Sequence, residues 1–288
     1  MSDGQKVIKY LAIAFAIFLS VNIIGGIITA IFFGISIFDI NFKIQNNQNS
    51  TIVTNEEMVI SQNYDNIEKL KVEIGYSKLE IKQGEKLKVE ANTNNNKITT
   101  KKTGDTLTIK EDSSWNIFKD DIESHIIITV PENYYFENVK IEAGSGELNL
   151  SNIQTKDFEL EVGAGNVIIS NLLVEKKADI DGGAGKVVIK DSNLSNLDLD
   201  VGVGEFQIIN TKLSDDSDID AGIGKLEITL KGNLEDYKII PSRGLGSFTI
   251  EDDEIEDNKT YGSGDNKIKI NAGIGKIDIN FIDENDMI

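Results

Sequence analysis

Carboxylates are the most regularly spaced chemical groups in this sequence. Glu159 and Glu161, Asp179 and Asp181, Asp198 and Asp200, and Asp218 and Asp220 form four i, i+2 pairs, each just ahead of a Gly-x-Gly triplet. Residues two apart on a strand point to the same face. Stacked in register, the eight acids would form two columns with about 4.8 Å between steps. Like charges at that spacing repel, and sets of oxygen ligands suit calcium. Asp179, Asp181, Asp198, Asp200, Asp218 and Asp220 are therefore a candidate cation ladder, with calcium as the ion. A solvated acidic face that blocks edge-to-edge association accounts for the same pattern. Both readings stand on the residues alone.

Other chemistry is narrower. Paired carboxylates can cleave glycosidic bonds, but these pairs recur unchanged from one segment to the next, whereas an active site is one irregular spot. The chain has no Cys and one His, His125. That excludes thiolate catalysis, disulfides, Cys-based metal sites and any two-His arrangement within one chain. The calcium nonapeptide Gly-Gly-x-Gly-x-Asp is approached at Gly182, but its Asp position holds Val187, and the other copies hold Leu148, Val167, Phe206, Leu226 and Ile277. Without a carboxylate in the turn that site cannot form. No catalytic or cofactor-binding residue is assigned, and the chain reads as a non-enzyme. Its net charge of −19, from 48 acidic and 29 basic residues, excludes a nucleic-acid partner. Arg243 is the single Arg. Trp115 and Phe118, in a polar stretch, read either as a plug for one end of the core or as a contact patch.

The carboxylate pairs belong to a repeat. Its form is apolar-x-apolar-x-small-Gly-x-Gly-x-apolar-x-apolar, clearest in FELEVGAGNVII from Phe158 and SDIDAGIGKLEI from Ser217. The first Gly of each copy falls at Gly144, Gly163, Gly183, Gly202, Gly222 and Gly273, so the first five copies are 19 or 20 residues apart. Degenerate copies lie at Leu70 and around Gly244. A fixed period near 20 residues predicts a solenoid. Each half of the motif is a strand with one buried face, and the Gly-x-Gly centre lets the chain turn where a Cβ would clash. An antiparallel sandwich of hairpins is the competing architecture, but it needs no constant step. The expected core of parallel-stacked coils contains Val162, Ile169, Ile180, Val187, Leu199, Ile208 and Ile219. On the strand after each Gly pair, the first outward column, Glu147, Asn166, Lys186, Glu205 and Lys225, mixes signs and reads as ordinary surface pairing.

The fold class is thus an all-β, β-helix-like solenoid preceded by one N-terminal transmembrane helix. Residues 1–9 are a cytoplasmic N-terminus, 10–38 a transmembrane anchor, 39–57 a polar stalk, 58–137 an irregular β cap and 138–288 the Gly-x-Gly solenoid with a C-terminal cap. Residues 10–37 carry no charge, long enough to cross a hydrocarbon core of about 30 Å and too long for a typical signal peptide. Lys6 and Lys9 ahead of the span place the N-terminus in the cytoplasm and the C-terminal part outside the cell membrane.

Three further stretches, GDTLTIKE, ITVPENYYFENVKIEAGSGELNL and YGSGDNKIKINAGIGKIDINF, carry a family resemblance. Over residues 55–282 the chain resembles the bacterial "putative adhesin" family of membrane-tethered, Gly-rich β-repeat proteins, including envelope-stress proteins of the LiaG type. The resemblance implies an extracytoplasmic β-solenoid and transfers no functional residue. The expected function is a non-catalytic envelope protein, adhesin-like or a scaffold, held to the membrane by its helix and contacting an envelope polymer or envelope protein. The alternative is a regulatory module of an envelope-stress response that binds a membrane protein.

Overall fold

The computed structural model describes residues 58–93, 98–111, 124–256 and 259–283. The expected anchor and stalk, and Trp115 and Phe118, lie outside the described residues.

The amino-terminal strands are β1 (Met58–Asn63), β2 (Lys69–Ile74), β3 (Lys78–Gly84), β4 (Lys88–Thr93), β5 (Ile98–Thr103), β6 (Thr106–Glu111) and β7 (Ser124–Pro131). The long strands β8 (Tyr135–Lys190), β10 (Leu197–Ser214) and β11 (Asp216–Lys231) follow, with the short β9 (Asn193–Ser195) between the first two. β12 (Tyr237–Ile250), β13 (Asp253–Glu254) and β14 (Asn266–Ile282) end the domain. β8 is long because extended backbone runs around several coils without a break.

Neighbouring coils pair in parallel and hold one register through each Gly-x-Gly corner, which excludes the hairpin sandwich. Leu199 of β10 lies opposite Ile180 of β8 on one side and Ile219 of β11 on the other. Gly204 lies opposite both Gly185 and Gly224. All seven expected core residues are buried. Burial of one such side chain is worth about 1.5–3 kcal/mol, and it is available only once a neighbouring coil covers the face.

Three kinds of corner make the coil. The Gly-x-Gly corner needs its glycines for contact as well as conformation: Gly185 has φ +131, and a Cβ there would lie 2.0 Å from the carbonyl oxygen of Gly165 in the next coil. The second corner is made by Asn152, Asn171, Asp191 and Asn210, all left-handed with φ between 49° and 57°. Asn and Asp tolerate that conformation because their short polar side chains bond locally. Here they also bond between coils, Asn171 Nδ2 donating to Asn152 Oδ1 at 3.2 Å and Asn210 Nδ2 to Asp191 Oδ1 at 2.6 Å. A third corner is left-handed at Asn196 and Asp215.

Coil-like pairing extends into residues 58–137, where the sequence predicts an irregular cap. β2 and β3 pair in parallel with β8, so the degenerate copy at Leu70 is a true coil. β6 and β7 stack outside it, in parallel with β2 and β3. The antiparallel pairs β5–β6, β4–β7 and β1–β4 then close that end. At the other end the order of coils departs from the order of the sequence. β14, the last strand, lies between β11 and β12. β12 is the outer coil, partly covered by β13 and by a bridge from Tyr261 to Ile239. Pro241 sits on this outer strand, where a missing N–H is tolerated.

Candidate functional site: an acidic trough beside an apolar ridge

The two predicted carboxylate columns form, and they differ. The outer column is Glu159, Asp179, Asp198 and Asp218. Lysines are interleaved with it: Lys140 pairs with Glu159, Lys177 Nζ lies 2.7 Å from Asp179 Oδ2 and 3.4 Å from Asp198 Oδ2, and Lys269 Nζ lies 3.7 Å from Asp218 Oδ2. Lysines thus neutralise the outer half of the set. The signal was in the sequence, since Lys177 stands two residues before Asp179 and so on the same strand face.

The inner column runs along one wall of the Gly-x-Gly corner. In register it reads Lys110, Glu73, Glu142, then through the coils of β8 to Asp181, Asp200, Asp220 and Asn271. Its first part is neutralised. Lys71 and Lys110 approach Glu73 at 2.6 and 2.7 Å, and together they hold its carboxyl at a pKa of about 2. Lys140 lies 3.0 Å from Glu142. From Glu161 to Asp220 no ion pair is found among the described residues. Asn271 Nδ2 donates to Asp220 Oδ1 at 2.6 Å. The carboxyls of Asp181 and Asp200 are raised above the ordinary aspartate range, first by burial and then by neighbouring carboxylates of both columns.

These acids border an open trough of about 680 Å³. Gly163, Gly183, Gly202, Gly222 and Gly273 lie along it and keep it clear of side chains. Its sheet geometry spreads the carboxylates along a line. Among the described residues no group of three or more His, Cys, Asp or Glu is placed to hold a metal ion. His125, on β7, lies away from the trough with Nε2 3.6 Å from Glu80.

A second feature was not singled out in the sequence. The middle residue of each Gly-x-Gly corner points outward, and the register aligns these positions as Ala184, Val203, Ile223, Ile274 and Leu245. Side-chain size rises along the stack to Ile223, Ile274 and Leu245, which are 42%, 51% and 71% exposed. They form an apolar ridge beside the trough. The repeat spacing carried this signal. It was missed because the glycines, not the residue between them, define the motif.

Comparison with known proteins adds a family and several distant structural likenesses. The family model described as Toastrack DUF4097 matches residues 67–280. No curated protein matches the chain. Among solved structures, a "putative cell adhesion protein" from Clostridium sporogenes is 18% identical, covers 79% of this chain and 100% of its own, and has a TM-score of 0.41. A "putative adhesin" from Bacteroides fragilis is 16% identical, covers 80% and 98%, and has a TM-score of 0.44. Another from Parabacteroides distasonis is 15% identical, covers 79% and 97%, and has a TM-score of 0.35.

Proposed function

This chain belongs to the Toastrack DUF4097 family, and from that premise we propose that it is a non-catalytic, membrane-anchored, extracytoplasmic attachment or scaffold protein of the cell envelope. The observation that carries this reading is the constant register of the coils, which places equivalent side chains at equal intervals along one wall. A wall of that kind offers many weak, equivalent contacts, and linked contacts raise avidity without any single strong site. The carboxylates follow the same logic, recurring in phase along the stack and not converging on one reacting centre. The uncharged stretch of residues 10–37 supplies the anchor, with the solenoid on the outer side.

The test compares cells carrying the full chain with cells carrying residues 1–57 alone, scored for retention of envelope polymer or of a partner surface. Attachment is expected to disappear with the solenoid. If residues 1–57 alone keep the full phenotype, the activity belongs to the membrane segment and the attachment reading is overturned.

A further inference from the structure

We propose that the apolar ridge and the acidic trough form one docking strip, and that its occupant is a cationic polypeptide segment bearing apolar side chains. The inference rests on the attachment reading and names the chemistry of the partner.

The apolar half comes from the ridge. Ile223, Ile274 and Leu245 are large, exposed and consecutive in the stack, at the positions that project furthest from the corner. Scattered exposed apolar residues need no explanation, but a contiguous row of them marks a contact surface. The ridge also has neighbours of two kinds. On the far side, the lysines are satisfied by acids nearby: Lys186 with Glu205 at 3.2 Å, Lys225 with Glu227 at 2.5 Å and Lys276 with Asp278 at 2.7 Å. On the trough side, Asp220, Asn271 and Ser242 share the coils of Ile223, Ile274 and Leu245, and Glu161, Asp181 and Asp200, in the coils before them, have no ion pair among the described residues. The strip therefore has one electrically balanced flank and one flank that is acidic along the coils leading up to Ile223, so that acids and large apolar residues follow one another along the stack.

That asymmetry selects the occupant. A second copy of this chain would bring another −19 charge, and its own trough would oppose this one. The segments of this chain outside the description supply no run of cations: residues 112–123 and 284–288 are acidic, residues 39–57 and 94–97 contain one lysine each, and residues 1–38 contain only Lys6 and Lys9. A basic segment meets the acidic flank with opposite charge, and its apolar side chains cover the ridge. The glycine floor lets a backbone approach closely.

The experiment uses the full chain in nanodiscs of zwitterionic lipid, with empty nanodiscs as baseline. The probe is a fluorescein-labelled peptide repeating Lys-Leu-Ser four times, followed by anisotropy. Peptides repeating Glu-Leu-Ser and Lys-Ser-Ser serve as comparisons. Saturable binding is expected for the first probe alone. Ile223→Ser with Ile274→Ser, and separately Asp181→Asn with Asp200→Asn, should each weaken it about tenfold, as loss of central contacts does. Leu245→Ser, at the most exposed ridge position, tests the ridge with little risk to folding. Glu85→Gln with Glu132→Gln removes two exposed charges elsewhere and should change binding less than twofold. The proposal is overturned if the ridge variants bind unchanged, if the control pair weakens binding as much as the trough pair, or if the probe does not bind. None of these results alters the outcome of the solenoid deletion, so failure of the docking strip and failure of the attachment reading are separate.

Discussion

Replacing Gly185 by Ala isolates what holds one coil against the next. Gly185 has φ +131, and an added Cβ would lie 2.0 Å from the carbonyl oxygen of Gly165 and 3.0 Å from its carbon and nitrogen. All three are backbone atoms of the adjacent coil, so no rotamer change relieves the overlap. The dihedral strain costs about 1–3 kcal/mol, and forcing an extra carbon into a packed contact about 1–3 kcal/mol more. The sum, about 2–6 kcal/mol, is large against a typical total stability of about 5–15 kcal/mol. Gly104 supplies the control, with φ +64 and nothing within 4 Å of its Cβ. Its replacement should cost only the left-handed penalty of about 1–2 kcal/mol. Gly182→Ala belongs between them, because its Cβ would meet the Phe206 ring edge at 2.8 Å, a side chain that can shift. Urea unfolding of the full chain, followed by far-ultraviolet circular dichroism, should rank the midpoints wild type, Gly104→Ala, Gly182→Ala, Gly185→Ala from highest to lowest. If Gly185→Ala unfolds no earlier than Gly104→Ala, the coil-to-coil contact does not set the demand for glycine, and the stacking argument fails.

Two further predictions concern the inner column. The folded pKa values of Asp181 and Asp200 lie above the ordinary 3.8, so the fold favours their protonated forms. Their contribution is fully present below that value and is lost as pH rises through the raised folded value. Asp181→Asn with Asp200→Asn should therefore raise Tm at pH 7, by under about 1 kcal/mol of stability after solvent screening, and the gain should vanish near pH 3. Glu73 has the opposite sign: its pKa falls from 4.5 to about 2, so its stabilisation is present above 4.5 and is lost as pH falls toward 2. Glu73→Gln should lower Tm at pH 7 and have a much smaller effect at pH 2, where the stabilisation is being lost. The second prediction concerns calcium: no three acids among the described residues converge on one ion, so only adjacent pairs of inner-column carboxylates can share one, and millimolar calcium is expected to raise Tm by only about one or two degrees through weak binding to the folded state. Asp181→Asn with Asp200→Asn should abolish that gain, and Asp179→Asn with Asp198→Asn should not, because Lys177 already pairs with the outer column. Equal effects of calcium and of sodium at matched ionic strength would reduce the ladder to a screened, solvated face.

Much of the coil could be read directly from residues. Alternation such as Phe158, Leu160, Val162 determines which face is buried, because successive side chains on a strand point to opposite sides. The 19–20 residue step of Gly144 to Gly222 determines that coils stack in phase. The Asn152, Asn171, Asp191, Asn210 corner recurs at the same step, but Asn is common in ordinary loops, and only the left-handed backbone marks these positions as a corner. These features are local, set by backbone sterics and period. Other features were decided only in three dimensions. Nothing in a linear reading tells that β14 inserts between β11 and β12, or that β6 and β7 lie outside β2 and β3, because near-identical motifs can pair with one another in any order. The two acidic columns look alike as sequence. They separate because lysines from neighbouring coils reach the outer one, and the glycine floor leaves the inner one beside an exposed apolar ridge. Pairing and exposure depend on what lies on the adjacent coil, and that is a property of the stack and not of any one repeat.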